Sequence, residues 1–441
     1  MIRSRGDRLV RRLAVVPAAV LALGLSGCGA FSGSGDDGGG DGDTLTYWSM
    51  WQRGEPQSRV LQSAIDAFER EAGVTVDVQW AGREVGKKIR AAANSDRVPD
   101  LTDNTAEELL AGSQADLYAG LDDVYRETIP GEDETVGEVI PETYVAPYET
   151  ASGEPIIAPY EVLSTAIWYD GDKLPEVAAN PPKTWDEFVR LMREMKADGQ
   201  TPIAADGTIP DYNAYWLYQL VERQLGAGWL RRAALDRSGR SWADPKFLAA
   251  AKRLEEIVAA DFFMDGYQGS KLPAGEQSWA QGKANFLLMG SWAPSSTAEA
   301  AREGIEYRSF PMPTVEGGVA TEELSLIGFG VPARGDEPEL AARFVAFFLN
   351  RRWLTRIAEE ADNLTPRADV EAPAPLADLK AGLEQATEAN RYLDGLPATA
   401  EQFHKGVFLP LDDQLFFGEI TAEQFVERLQ KQSAEFWKRN G

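Results

Sequence analysis

The chain has 441 residues, with 70 acidic against 44 basic side chains and a net charge of −26. That length suits two or three domains, and 44% hydrophobic with 10% aromatic residues is enough to build cores, which excludes a wholly disordered chain. So acidic a chain repels polyphosphate, which excludes general nucleic-acid binding. One cysteine, Cys28, and one histidine, His404, exclude internal disulfides, cysteine-rich zinc sites and most histidine-ligated metal centres. No metal and no cofactor is expected.

The N-terminus reads as an export signal over residues 1–27. Arg3, Arg5, Arg8, Arg11 and Arg12 precede the apolar run Leu13 to Leu25, which is too short for an ordinary membrane-spanning helix. The run ends in Leu25-Ser26-Gly27-Cys28 and resembles a bacterial lipobox, in which the signal is cut before a lipidated cysteine. Acyl chains contribute about 0.8 kcal/mol per buried methylene, enough in combination to anchor a protein. Residues 28–43, rich in Gly, Ser and Asp, read as a tether with no strand before them to make a phosphate loop. Removing residues 1–27 takes away five arginines and one aspartate, leaving 39 basic and 69 acidic side chains. The expected location is the outer face of the cell membrane, with a Gram-positive source.

The body opens β-α-β. Thr44 to Met50 is β-rich. Pro56 suits a first helical turn, and Val60, Leu61, Ala64, Ile65 and Phe68 recur at helical spacing until Gly73. Val74, Val76, Val78 and Trp80 alternate as a half-buried strand. A helix over about 84–93 leads to Pro99-Asp100-Leu101. Strands separated by helices imply a parallel sheet, with ligands beyond the carboxyl ends of its strands. Those ends are 49–55, 80–83 and 102–105.

Similar signals restart near Ile156. The run Ser164 to Tyr169 ends in Asp170. Thr184 with Glu187 forms a capping box before the apolar stripe Phe188, Leu191, Met192 and Met195. A helix follows over Tyr212 to Leu225, and Asp244-Pro245 starts another. Ala284 to Met289 and Ile327 to Val331 read as strands, and helices, among them Pro338 to Asn350, run to the C-terminus. There is no short internal repeat.

The segments Trp168-Tyr169-Asp170, Pro182 to Phe188 (PKTWDEF), Gln281-Gly282-Lys283-Ala284 with Gly290-Ser291-Trp292, Phe310 to Pro313, Ala341 to Val345 and Thr365-Pro366-Arg367 occur together and in order. In this the chain resembles the extracellular solute-binding proteins of bacterial ABC importers, in the carbohydrate-binding, maltose-binding-like group. The resemblance implies an α/β, type II periplasmic-binding-protein-like fold: two discontinuous lobes around a cleft, closing by hinge bending. Their expected spans are 44–158 with 293–329, and 159–292 with 330–441. It implies a monomer that hands a sugar of di- or oligosaccharide size to transmembrane permease subunits, held to the membrane through Cys28.

A sugar presents an apolar C–H face and a rim of hydroxyls, so its site needs flat aromatics and fixed polar groups. The resemblance and the strand ends together put forward Trp51, Glu55, Arg83, Asp103, Asn104, Tyr160, Glu161, Tyr212, Trp216, Ser291, Trp292 and Arg367 as substrate-binding residues. No catalytic residue is expected, and His404 is read as an ordinary packing or surface histidine. The rival readings are a binder of a non-sugar solute such as a polyol, glycerophosphodiester or peptide, and a secreted glycoside hydrolase. The last requires a carboxylate pair about 5–9.5 Å apart, and no motif singles one out.

Overall fold

A computed structural model describes residues 44–93, 97–150, 152–386 and 388–440. The signal segment, Cys28 and the tether lie outside them. Strands β1 (Thr44–Ser49), β2 (Thr75–Trp80), β3 (Leu101–Thr105) and β4 (Ala158–Leu163) enter a first sheet. Strands β5 (Thr165–Asp170), β6 (Ile203–Ala204), β7 (Phe286–Gly290) and β8 (Tyr307–Phe310) form a second, and β9 (Thr321–Gly330) and β10 (Glu388–Arg391) return to the first. No helix among the described residues is long and apolar enough to cross a membrane.

The β-α-β opening forms as the periodicity requires. β1 lies parallel to β2, in register from Thr44↔Thr75 to Ser49↔Trp80, and parallel to β3 on its other side. The crossover helix Pro56–Ala72 has Pro at its start and ends at Gly73, whose φ of 71° is the left-handed cap position. It buries Val60, Leu61, Ala64, Ile65 and Phe68, the stripe read from the sequence. At roughly 1.5–3 kcal/mol per large apolar side chain, that stripe holds the helix on the sheet. β9 runs antiparallel to both β3 and β4, so the first sheet is mixed rather than purely parallel.

In the second sheet β5 is central, antiparallel to β7 and to β8. Helix Trp185–Ala197 packs on it through Phe188, whose ring meets Phe286 and Phe310 edge-on at 5.2 and 5.7 Å. The capping box is present: Thr184 Oγ1 accepts from Glu187 N–H at 3.3 Å, and the Glu187 carboxylate accepts from Thr184 N–H at 3.1 Å. Thr184→Ala should therefore lower stability by about 1 kcal/mol, read as a shifted urea midpoint at unchanged slope.

The strand pairings differ from the expected lobe boundaries in two places. Residues 293–310 do not pass to the first sheet, because β8 fills the open edge of β5 from Ile167↔Phe310 to Asp170↔Tyr307. The return comes between Phe310 and Thr321. Helices Pro338–Phe348 and Arg351–Ala361 belong with the first sheet: Phe344 packs edge-on against Phe68 at 5.3 Å, and Arg356 donates to Ser63 of the same crossover helix. A short apolar strand states that it is buried; it does not state which sheet edge it completes.

Candidate functional site

The first wall grows from the carboxyl ends of β1 and β2. After β1 the chain turns through 50–55, and after β2 through a single 3₁₀ turn, Gly82–Glu84. This brings Arg83 over the Trp51 ring, its guanidinium carbon 4.5 Å from the centroid. The same guanidinium donates to Met50 O at 2.6 Å and grips Glu55 at 2.9 and 3.1 Å. Trp51, Glu55 and Arg83, far apart in sequence, thus form one rigid unit: a cation on an aromatic face, fixed by a two-pronged carboxylate.

Behind this unit lies Asp103, fully buried. Its carboxylate accepts from Tyr47 Oη (2.7 Å), Ser49 Oγ (3.1 Å), Met50 N (2.6 Å) and Tyr160 Oη (2.6 Å). Trp51 Nε1 donates to Tyr160 Oη at 2.7 Å. Burial raises the Asp103 pKa, and the four donors pull it back. Fully buried and held by these four donors, Asp103 sets the position of Trp51 through Tyr160 and presents no oxygen at the surface. Tyr160, also fully buried, shares that role. Asn104 accepts from Thr105 N–H at 2.9 Å and is 5% exposed.

Glu161 is different. It is fully buried, and neither carboxylate oxygen has a hydrogen-bond partner. Burial pushes its pKa up to about 8, opposed by the nearby Gln57 amide and raised further by Asp103. Its placement follows from a bulge: β4 pairs with β9 at Pro159↔Gly328 and then slips, so that Glu161 opposes Ile327. Bulges re-aim side chains beside functional sites. The close approach needs Gly328, where a Cβ would lie 2.4 Å from Ala158 O. Nearby, Gln57 donates to Asn363 Oδ1 at 3.0 Å, and Val162 N–H donates to Leu364 O at 2.9 Å.

The second wall rises from the same junction. Ser164, between β4 and β5, accepts from Ser291 N–H at 2.8 Å. Ser291 is 4% exposed and its hydroxyl has no partner. Trp292 follows β7 and folds back over Gly290, where a Cβ would meet its ring at 2.2 Å. The glycine of the Gly-Ser-Trp segment is thus the condition for this ring position. Trp292 lies 6.3 Å from Tyr212 at a 35° tilt, and Tyr212 stacks on Tyr215 at 5.3 Å and 27°. Tyr215 in turn shares a hydroxyl–hydroxyl bond of 3.0 Å with Tyr392. Tyr212 and Trp292 are half-buried, as a stacking platform requires.

Two of the sequence-stated residues do other work. Trp216 is 3% exposed and packs edge-on at 5.7 Å against Phe263, which is bridged to Ile203 of β6. Arg367 is 4% exposed and fully engaged: it donates to Glu132 at 2.7 Å, to Leu349 O at 3.1 Å and to both oxygens of Asp369 at 2.9 Å. It is a structural ion-pair centre. Gln57, Tyr215 and Tyr392 were not anticipated. Tyr215 lies in the same aromatic helix start as Tyr212, which was the available signal; nothing local marks Tyr392. His404 is buried in a π-turn, His404–Phe408, that precedes Pro410, whose missing N–H breaks the α-helical ladder. Burial lowers its pKa to about 4, so it is neutral at pH 7. Among the described residues no cluster of three or more His, Cys, Asp or Glu side chains is arranged to hold a metal ion.

Residues 54–353 match the family described as "Bacterial extracellular solute-binding protein". A "Probable sugar-binding periplasmic protein" of Rhizobium meliloti is 23% identical over 240 residues, 54% of this chain and 55% of that one. The "Diacetylchitobiose binding protein NgcE" of Streptomyces coelicolor is 23% identical over 219 residues, 49% of this chain and 46% of that one. The chain thus spans about half the length of the curated relatives it matches. Among solved structures, apo RafE from Streptococcus pneumoniae superposes with a TM-score of 0.73 at 19% identity, covering 91% of this chain and 99% of that one. RafE in complex with raffinose gives 0.66 at 18%, covering 89% and 99%. These likenesses establish a type II periplasmic-binding-protein-like fold, and with the family match they place the chain among the bacterial extracellular solute-binding proteins.

Proposed function

We propose that this chain is the sugar-capturing component of an ABC importer, which closes two lobes over a di- or oligosaccharide and passes it unaltered to permease subunits. The observation that carries this reading is Glu161, a buried carboxyl with neither oxygen hydrogen-bonded, beside the Trp51–Arg83–Glu55 unit. A group left without a donor inside a protein costs about 1–3 kcal/mol, a cost that a donor-rich guest removes. Hydroxyls are such donors, and the Tyr212–Trp292 platform suits the C–H face of a sugar ring. The names of the relatives, which include sugar-binding, diacetylchitobiose-binding and raffinose-bound proteins, support the same class.

Hydrolysis is disfavoured by the same geometry. Glu161 needs a second, free carboxylate across the scissile bond, but Asp103 is fully buried under four donors and Glu55 is paired with Arg83. The commitment of Arg83 to Glu55 and Met50 also disfavours an anionic solute such as a glycerophosphodiester. We assign residues 1–27 as a cleaved signal and Cys28 as the lipid attachment point at the outer membrane face, with 28–43 as tether. One lobe then surrounds the first sheet and the other the second, and the protein acts as a monomer.

Trp292→Ala should weaken binding of raffinose or diacetylchitobiose, whichever binds the wild type, by about 1–3 kcal/mol. Gly290→Ala, which displaces the ring without removing it, should do the same. Titration calorimetry reads both. Two variants that bind like wild type would remove the platform from the site.

A further inference from the structure

Gly290 leaves room for the Trp292 ring, but room alone does not fix a ring. After Trp292 the chain enters a single helical turn, Ala293–Thr297. Ser296 N–H and Ser295 Oγ both donate to Trp292 O, at 2.9 and 3.0 Å. The orientation of that turn therefore sets how Trp292 leaves the backbone. Two side-chain ties hold the turn. Thr297 Oγ1 meets Tyr307 Oη of β8 at 3.2 Å, and Ser296 Oγ donates to Glu276 Oε2 at 3.0 Å.

Glu276 is 2% exposed and lies in the first turn of helix Ala274–Ala280. Asp206, two residues past β6, pins the start of that helix. Its Oδ1 accepts from Gly275 N–H at 2.8 Å and from Ser270 Oγ at 2.7 Å, and its Oδ2 accepts from Glu276 N–H at 3.3 Å. The approach is close enough to require Gly275, where a Cβ would lie 2.6 Å from Ala205 O. Near the other end Trp279, 1% exposed, packs on Tyr307 at 6.0 Å. The helix is thus fixed at both ends to the second sheet, and Glu276 holds Ser296 from a stationary base.

A buried carboxyl costs stability unless donors offset its lost hydration. Burial raises the Glu276 pKa, the Ser296 hydroxyl lowers it, and the Asp206 carboxylate raises it again. In either protonation state an oxygen remains to accept from Ser296. A site that binds by stacking gains affinity when its ring is already in place, because less order is lost on binding.

We propose that Glu276 is a positioning residue for sugar capture: through Ser296 it holds the turn that carries Trp292. This rests on the reading of Tyr212 and Trp292 as the sugar platform. Glu276 acts through the ring and not on the guest. Its acceptor oxygen matters and its charge does not, so an amide serves as well as the acid.

The test measures affinity for raffinose and diacetylchitobiose by titration calorimetry at pH 7, with the melting temperature of each unliganded variant as the check on folding. Glu276→Ala and Ser296→Ala each break the bond and should lose about fivefold in affinity. Glu276→Gln keeps an acceptor for Ser296 and should bind within about twofold of wild type. In a Trp292→Ala background, Glu276→Ala should weaken binding by less than a further factor of about two, because the ring it holds is gone. A general structural defect would persist in that background. Equal losses with and without Trp292, or wild-type affinity in Glu276→Ala, overturn the proposal. So does a loss in Glu276→Gln with none in Ser296→Ala, the pattern of an acid that touches the sugar itself. If neither sugar binds wild type, the sugar reading fails and takes this proposal with it, a result that no pattern among the variants can imitate.

Discussion

Arg367→Ala should lose about 3–5 kcal/mol of stability and leave sugar affinity unchanged in the protein that remains folded. The side chain is 4% exposed and spends its guanidinium on Glu132, itself only 15% exposed, on Asp369 and on the carbonyl of Leu349. Removing one partner of a buried pair leaves the other charge uncompensated, which is far costlier than never having built the pair. The Asp369 contact adds less, since Asp369 is 46% exposed and solvent screens it. Arg367→Lys keeps the charge but cannot span Glu132 and Asp369 in one planar fork, so it should recover only part of the loss. Urea unfolding reads the stability and calorimetry the affinity. A stable Arg367→Ala protein that no longer binds sugar would return this residue to the ligand site.

Glu161 should show the reverse pattern, a residue that harms the empty protein. Its folded pKa, raised by burial to about 8, lies above its ordinary value of 4.5. The folded state therefore holds the proton more tightly than the unfolded state between those two pH values. The benefit is complete below about pH 4.5 and is lost as pH rises through 8, at roughly 1.4 kcal/mol per unit. Wild type should thus be about 4–5 kcal/mol less stable at pH 9 than this residue alone allows at pH 4. Glu161→Gln should flatten that part of the profile, and Glu161→Leu should weaken binding of the tested sugar by tenfold or more while stabilising the unliganded chain. Unfolding curves at pH 5 and pH 9 decide it: parallel wild-type and Glu161→Gln values would show that burial does not govern this carboxyl.

The contrast between these two residues shows what the sequence carries. Helices were legible where caps and stripes agree, as at Thr184 with Glu187 and at Asp244-Pro245, where Asp244 does accept from Lys246 N–H at 2.8 Å. The parallel opening followed from alternation and turn residues. Strand β9 was read too short, because Thr321-Glu322-Glu323 looks solvated in sequence yet is buried at the sheet junction through Arg223, Thr165 and Leu393. For the candidate site, strand ends and turns put forward Trp51, Glu55, Arg83 and Glu161, which the fold brings together. Trp216 and Trp292 carry the same chemistry, but one packs against Phe263 and the other folds back over Gly290, half-buried beside Tyr212. That distinction depends on neighbours distant in sequence, as does the pairing that occupies Arg367. Local pattern fixes which face of an element is apolar; it does not fix which partner each polar group meets.

Titration calorimetry of the chain with raffinose and diacetylchitobiose bears most directly on sugar capture without chemistry. The expected record is a saturable heat for at least one of them, at one site per chain, returning to baseline after each injection. A sustained heat after injection, from continuing turnover, or no saturable heat with either sugar, would contradict it.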